Sequence, residues 1–209
     1  MKRIYLLIVF FGLFAFLAGC GSDQYSIERR YWFAQKSAEK IFKNPHASPP
    51  KELEKIVNTL NGFILSNPKS NLSIEAEFTI ARLYIIKEEY QKARDHLKMV
   101  LNKYKESKAI GSEAVFLIGN SYQIEDKWSL ALEQYKRIMQ DYSATPKGLY
   151  VPLYIAQYYK IKYQPEKMIT AYKEAVNYYS ALADKYPDSI FGYTTHNILA
   201  QCYIATKEW

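Results

Sequence analysis

The chain has 209 residues, and its 28 Lys and Arg residues outnumber its 21 Asp and Glu residues, which gives a formal net charge of +7. The basic residues are interspersed with acidic ones and form no clustered stripe, so a nucleic-acid partner is not expected. The sequence contains 20 Tyr, eight Gly and eight Pro residues, a composition that favours helices packed through large side chains.

The N-terminus has the pattern of a cleaved signal peptide. Two basic residues, Lys2 and Arg3, precede residues 4–17, which carry no charge and as a helix would span only about 21 Å, less than the ~30 Å hydrocarbon core of a bilayer. The following Leu17-Ala18-Gly19-Cys20 resembles the bacterial lipobox, which implies cleavage between Gly19 and Cys20 and a lipid on Cys20. The alternative is an ordinary signal peptide or an inner-membrane anchor with an incidental cysteine.

The remaining cysteine is expected to be structural. If Cys20 carries a lipid, Cys202 has no partner within the chain and no intrachain disulfide can form. Cys202 lies in an apolar stretch, so we expect it to be a small residue of the core.

Two segments of the chain repeat. Residues 75–106 and 113–144 align without a gap, and small residues and Tyr residues recur at the same positions in both. The pattern predicts two antiparallel helices in each segment, with the small residues allowing close approach of the backbones. The aligned pairs are Ala81 and Gly119, Tyr84 and Tyr122, Ala93 and Ala131, and Leu97 and Tyr135.

These columns resemble the tetratricopeptide repeat (TPR). Ile118, Gly119, Tyr122, Ala131 and Tyr135 match the L-G-x-x-Y…A-x-x-x-F frame of that family, although the opening Trp is missing and the period is longer than usual. The resemblance implies an all-α fold, a right-handed superhelix of antiparallel helix pairs in a TPR-like α-solenoid.

The repeat pattern divides the chain into a signal peptide at 1–19, a lipidated tether at 20–24 and a repeat domain at 25–209. The repeat units are placed at 25–70, 73–107, 112–145, 149–189 and an incomplete 190–209. Pro165 is expected to begin a helix that runs about two turns longer than its counterparts, and Ser73 is expected to cap the helix that follows it. A further helix should begin at Trp209, so the sequence predicts a longer protein or a partner that completes the repeat.

The lipobox, the Tyr-rich repeats and the Tyr-Pro-x-Ser end of a repeat are together similar to the BamD-like outer-membrane lipoproteins. The resemblance implies a protein–protein interaction scaffold on the periplasmic face of the outer membrane, with other envelope proteins or peptides as partners and a role in outer-membrane protein assembly or envelope biogenesis. Gly21 after the lipidated cysteine is typical of outer-membrane sorting, and inner-membrane anchoring is the alternative. A second hypothesis is the N-terminal repeat region of a longer envelope enzyme, such as a peptidoglycan-processing one.

No catalytic residue, metal site, cofactor or small-molecule substrate is expected. The three His residues lie in different units, without a His or Cys three or four positions later. Nucleotide-binding, hydrolase and metalloprotease motifs are absent from the sequence. The acidic pairs Glu88-Glu89 and Glu125-Asp126 are interpreted as residues of the turns between helices.

A candidate binding surface follows from the resemblance, in which the first helix of each pair lines the concave side. One column of that helix is polar and a second is mostly apolar, which predicts a groove for an extended peptide or a helix. The alternative for the apolar column is packing against neighbouring helices. The polar column is Arg82, Asn120, Gln157 and Gln201, and the mostly apolar one is Phe78, Phe116, Leu153 and Asn197.

Overall fold

The computed structural model describes residues 22–206, which form nine α-helices and no strand. The predicted all-α class is confirmed for this part of the chain. The chain divides after Glu89 into two compact units. The helices are α1 (Ser22–Lys43), α2 (Pro50–Ser66), α3 (Asn71–Ile86), α4 (Tyr90–Lys103), α5 (Lys108–Ile124), α6 (Trp128–Asp141), α7 (Pro146–Ile161), α8 (Pro165–Lys185) and α9 (Ile190–Thr206).

The first unit contains α1, α2 and α3, which all contact one another. Each helix contributes one apolar face at three- and four-residue spacing, and these faces form a common core. On α1 the inward residues are Ala34, Ala38 and Ile41, and the ring of Tyr31 lies 5.5 Å from the ring of Phe63 on α2. The opposite face of α1 is exposed.

The second unit contains α4 to α9, in which each helix packs against the next along the chain and α5 also packs against α7. Its core includes two fully buried tyrosines, Tyr135 and Tyr179. A Cβ atom on Gly119 would lie 2.6 Å from the ring of Tyr135, so the small residue of the repeat pattern makes room for the aromatic one. At Gly119 the close neighbour is therefore the ring of Tyr135, whereas the sequence analysis expected a close approach of backbones.

Three turns of the chain share one geometry. Glu88, Asp126 and Tyr163 have φ values of 62°, 59° and 52°, in the left-handed region that ends helices. In each turn the next N–H donates to the carbonyl of a Tyr five residues earlier, at 2.8–2.9 Å. The prediction that the acidic pairs lie in turns is confirmed, and the recurrence is independent evidence of repetition. The bonded pairs are Glu89 to Tyr84, Lys127 to Tyr122, and Gln164 to Tyr159.

Side-chain hydroxyls cap three of the helices that follow other turns. Ser70, Ser107 and Thr145 each accept a hydrogen bond from a backbone N–H of the first turn of α3, α5 and α7. The expectation that Ser73 caps α3 is wrong. Ser73 lies inside the helix, and its hydroxyl donates to the carbonyl of Asn67 at 2.6 Å.

Helix α7 contains a proline in its interior. Pro152 has no N–H to donate to the carbonyl of Gly148, four residues earlier. That carbonyl instead accepts a hydrogen bond from the Tyr178 hydroxyl at 3.1 Å, and the Tyr179 hydroxyl donates to the Leu149 carbonyl. Both tyrosines lie on the long helix α8, which begins at Pro165 as predicted. A hydroxyl of α8, that of Tyr178, therefore takes the place of the N–H that Pro152 lacks.

The compensation can be tested with a double-mutant cycle. Tyr178→Phe should lower the free energy of unfolding by about 1–2 kcal/mol, because the buried Gly148 carbonyl loses its donor. In a Pro152→Ala background the new N–H can serve the same carbonyl, so the same change should cost less. Urea unfolding of the four proteins measures the coupling, and an equal cost of Tyr178→Phe in both backgrounds would contradict the explanation.

Cys202 is buried without a disulfide partner among the described residues, as expected for a core residue. Burial raises the pKa of its thiol to about 11, so the reactive thiolate is not formed near neutral pH. Between residues 22 and 206, no helix combines the length and the apolar character needed to span a bilayer. The signal peptide, Gly19 and Cys20, and also Trp209, lie outside the described residues.

Candidate interaction surface

Two rows of side chains face each other on α5 and α7, and we call them the paired stripes. Within each helix the residues are mostly three or four positions apart, which places them on one face. The stripe on α5 consists of Glu113, Phe116, Asn120 and Gln123, and the stripe on α7 consists of Lys147, Tyr150, Tyr154, Gln157 and Tyr158.

An ion pair and a cation–π contact join the stripes at one end. The Lys147 ammonium lies 3.1 Å from a carboxylate oxygen of Glu113 and 4.0 Å from the centre of the Phe116 ring. All three side chains are half-buried, so the contacts are stronger than those of fully exposed pairs. The positive charge of Lys147 is therefore largely neutralised by its neighbours within the surface.

Aromatic rings fill the middle of the stripes. The Phe116 ring contacts the rings of Tyr150 and Tyr154 edge to face, with centroid distances of 5.8 and 5.6 Å. Tyr154 also contacts the buried Tyr135 at 5.4 Å. These geometries are favourable for aromatic pairs, and they hold the rings in fixed positions.

One amide connects the rings to the core. The side-chain oxygen of Gln123 accepts hydrogen bonds from the hydroxyls of Tyr135, at 3.0 Å, and Tyr154, at 2.9 Å. Burial raises the pKa of Tyr135 far above its ordinary value, with a further contribution from the nearby Tyr154, so its hydroxyl remains a donor. Two donors on one oxygen fix the amide of Gln123 and, through it, the position of Tyr154.

A pair of stacked rings lies at the other end of the paired stripes. The rings of Trp128 and Tyr158 are nearly parallel, at an angle of 5°, with a centroid distance of 3.3 Å. The indole N–H of Trp128 donates to the hydroxyl of Tyr159 at 3.1 Å. Trp128 begins α6, so this contact ties the C-terminal half of α7 to the neighbouring hairpin.

The surface offers apolar area together with hydrogen-bonding groups. Tyr150 is 47% exposed, and Phe116 and Tyr154 beside it are half-buried. Asn120 is half-buried and Gln157 is exposed, so both amides are accessible at the margin of the rings. The arrangement is suited to holding an apolar side chain of a partner while the amides bond its polar atoms.

The structure places the predicted groove residues of the second unit on α5, α7 and α9. Phe116 contacts the rings of Tyr150 and Tyr154 on α7, and Asn120 is half-buried on α5. Leu153 is half-buried and packs against the core of its unit. Gln201 is exposed on α9.

The two predicted residues of the first unit have different environments. Phe78 is 4% exposed, which favours the packing alternative for this residue, because little of its ring can contact a ligand. Arg82 is half-buried, and its guanidinium lies 5.9 Å from the centre of the Phe78 ring. Burial raises the pKa of Tyr31, and the nearby charge of Arg82 acts to lower it.

Four residues of the paired stripes were not predicted from the sequence, namely Lys147, Tyr150, Tyr154 and Tyr158. A signal was present, because these residues follow one another on α7 at intervals of three and four positions. The repeat columns had already assigned most aromatic residues to the core, so this second row of rings was not separated from them. Within residues 22–206 no three His, Cys, Asp or Glu side chains are grouped as metal ligands.

No protein-family model matches the chain, and no curated protein matches it. Among solved structures, the chain is similar to a Podosopora anserina protein described as a kinesin light chain with nearly identical TPR-like repeats. The identity is 14%, the match covers 88% of each chain, and the TM-score is 0.47. A single-substitution variant of that protein matches with 14% identity, 88% and 87% coverage and a TM-score of 0.47.

Proposed function

We propose that this chain is a lipid-anchored scaffold of the bacterial envelope that binds protein partners through the paired stripes. An array of helix pairs is consistent with a protein–protein interaction scaffold in general. The observation that carries the specific proposal is the exposed ring of Tyr150, held between fixed neighbours beside accessible amides.

Energetic considerations favour this surface as a binding site. Tyr and Trp residues dominate the binding energy of protein interfaces, because they bury a large area with few rotatable bonds. Contacts with Phe116 and Tyr154 already restrict the Tyr150 ring, so binding requires little further ordering. The neutralised charge of Lys147 indicates recognition through apolar and hydrogen-bonding contacts rather than through net charge.

The proposed partner is a peptide or helix of another envelope protein that presents an apolar side chain to the rings. The proposed location is the periplasmic face of the outer membrane, with the lipid on Cys20 as the anchor. The pattern of residues 1–21 supports the anchor, and the resemblance to BamD-like lipoproteins supports a role in outer-membrane protein assembly or envelope biogenesis.

Photocrosslinking in cells tests the binding surface. A benzophenone amino acid in place of Tyr150 should give discrete adducts with envelope proteins, because the side chain lies where the partner is expected to bind. The same amino acid in place of Tyr163 is the control, since Tyr163 is 93% exposed but lies in the turn after α7 and belongs to neither stripe. Mass spectrometry identifies the adducts.

The amides provide a second arm of this experiment. Asn120→Ala together with Gln157→Ala should reduce the Tyr150 adducts at least about tenfold, the effect of losing two hydrogen bonds at an interface. Helical circular dichroism should be unchanged, because both side chains are at the surface. Identical adducts from Tyr150 and Tyr163, or no effect of the double substitution, would count against the surface.

The anchor is tested by metabolic labelling with a radioactive fatty acid. The chain should be labelled and should fractionate with outer membranes, and Cys20→Ala should abolish the label. Cys202→Ala is the matched control and should retain it, because this thiol is buried. Persistent label on the Cys20→Ala protein would refute lipid attachment at Cys20.

A further inference from the structure

Helix α1 exposes a continuous face opposite its buried one. At 100° of rotation per residue, seven of its side chains fall within an arc of about 100°, whereas Tyr31, Ala34, Ala38 and Ile41 point into the core. We call these seven residues the aromatic-basic face. They are Tyr25, Arg29, Trp32, Phe33, Lys36, Lys40 and Lys43, all of which are exposed.

The aromatic members of this face are unusually accessible for their size. Tyr25 is 66% exposed, Trp32 50% and Phe33 53%. Large aromatic side chains grouped on one exposed face are typical of a surface that contacts something else. Nothing in the core of the first unit requires these rings, since the buried face of α1 is complete without them.

Two cations of the face lie over its rings. The guanidinium of Arg29 lies 5.8 Å from the centre of the Phe33 ring, and the ammonium of Lys36 lies 5.5 Å from that of Trp32. Lys40 and Lys43 extend the positive charge to the end of the helix. No carboxylate lies within the face, and Glu39 at its margin pairs with Lys36 at 3.6 Å.

We infer that the aromatic-basic face docks on the surface of a lipid bilayer that contains anionic headgroups. Trp and Tyr residues prefer the membrane–water interface, and Lys and Arg residues beside them bind anionic phosphates. Protein interfaces, in contrast, are depleted in Lys, and this face contains three. Its composition therefore fits a lipid surface better than a protein partner.

In the docked state α1 lies parallel to the membrane along the roughly 27 Å between Tyr25 and Lys43. The rings enter the boundary between headgroups and acyl chains, while the long Lys and Arg side chains reach the phosphates. Docking does not depend on the lipid proposed for Cys20. A lipid so close in sequence to Tyr25 would strengthen docking by raising the local concentration of the face at the membrane.

Trp32 fluorescence provides the test. The full chain is reconstituted into vesicles that contain phosphatidylglycerol and phosphatidylcholine, or phosphatidylcholine alone, with brominated acyl chains as quenchers. The Trp32 signal is the difference between this protein and its Trp32→Phe variant, because the chain contains two other Trp residues. We expect blue-shifted, bromine-quenched Trp32 emission in the anionic vesicles, and little quenching in the neutral ones or at high salt.

Two charge variants complete the design. Lys36→Glu with Lys40→Glu should weaken docking more than about tenfold and remove most of the quenching, since two attractive charges become repulsive. Lys105→Glu with Lys160→Glu, at exposed positions of the second unit, changes the net charge equally and should have no effect. Unquenched Trp32, quenching independent of anionic lipid, or equal effects of the two variants would overturn the proposal. The proposed binding surface and the proposed lipid anchor are tested by Tyr150 adducts and by Cys20 labelling instead. Failure of membrane docking would therefore be distinguishable from failure of either of them.

Discussion

Replacement of Gly148 by alanine is expected to lower the free energy of unfolding of the second unit by about 3 kcal/mol. The new Cβ atom would lie 2.4 Å from the carbonyl oxygens of both Tyr142 and Ser143. These are backbone atoms at the end of α6 and in the following turn, so they cannot rotate away as a side chain could. The start of α7 would have to shift.

A shift at this point affects several bonds at once. The Gly148 N–H donates to the capping hydroxyl of Thr145 at 3.1 Å, and the Gly148 carbonyl accepts from Tyr178. Urea unfolding followed by circular dichroism measures the cost. A loss below about 0.5 kcal/mol would show that the junction adapts easily and that the close approach has little energetic weight.

Gly62→Ala is the matched control. Gly62 lies inside α2, and a Cβ atom there meets no atom within 4 Å. Alanine is a better helix former than glycine by about 1 kcal/mol, so this change should stabilise the first unit by up to that amount. The same substitution should therefore have opposite signs at the two positions, and destabilisation by Gly62→Ala would contradict the packing described for α2.

The second large effect is expected at a buried ion pair. The Arg94 side chain on α4 is only 6% exposed, and its guanidinium donates to a carboxylate oxygen of Glu125 and, at 3.3 Å, to the Ser121 hydroxyl. It also lies 4.4 Å from the centre of the Tyr122 ring. Glu125→Gln should cost about 2 kcal/mol, because it leaves a buried cation without its anion.

Glu133→Gln is the control for charge removal, since Glu133 is exposed on α6. It should change the free energy of unfolding by less than about 0.5 kcal/mol. Arg94→Met removes the cation while retaining much of the side-chain volume, so Arg94→Met with Glu125→Gln should be less destabilised than the sum of the single variants. Additivity of the two would show that the pair contributes no coupling energy.

The pair should also give stability a defined pH dependence. Burial raises the pKa of Glu125, but hydrogen bonds from Lys127 and Arg94 outweigh burial and hold this pKa below its ordinary value of 4.5. A depressed folded-state pKa means that the stabilisation is fully present above about pH 5 and is lost as the pH falls through the folded pKa. The difference between the wild-type chain and Glu125→Gln should therefore shrink below about pH 4, and a constant difference across this range would exclude linkage to Glu125.

The helices could be predicted because their signals are local. Small residues and aromatic rings at fixed spacing identify each hairpin, and the close contact of Gly119 with Tyr135 is the physical basis of that pattern. Pro165 begins α8 as predicted because a missing N–H has no cost in the first turn. The capping residue of α3 was misassigned by one turn, because Ser70 and Ser73 are equally suitable by composition.

The candidate surface could be predicted only in part. The repeat columns include Phe116, but its neighbours on α7 depend on how α5 and α7 are rotated about their own axes. Contacts between the helices set that rotation, among them the ion pair of Lys147 with Glu113 and the bonds to Gln123. Spacing within one helix does not encode these contacts. How α7 accommodates its internal proline could not be predicted either, because the Tyr178 hydroxyl on α8 lies 30 residues after the Gly148 carbonyl to which it donates.

The order of helix contacts has a consequence for how the chain acquires its structure. Within each unit, helices that pack together are neighbours or next neighbours along the sequence. The stretches of chain that must close are therefore short, and the entropy lost before a native contact forms is small. Such topologies fold rapidly and can grow outwards from any formed hairpin. A chain emerging N-terminus first could thus complete its early hairpins while the last helices are still being synthesised.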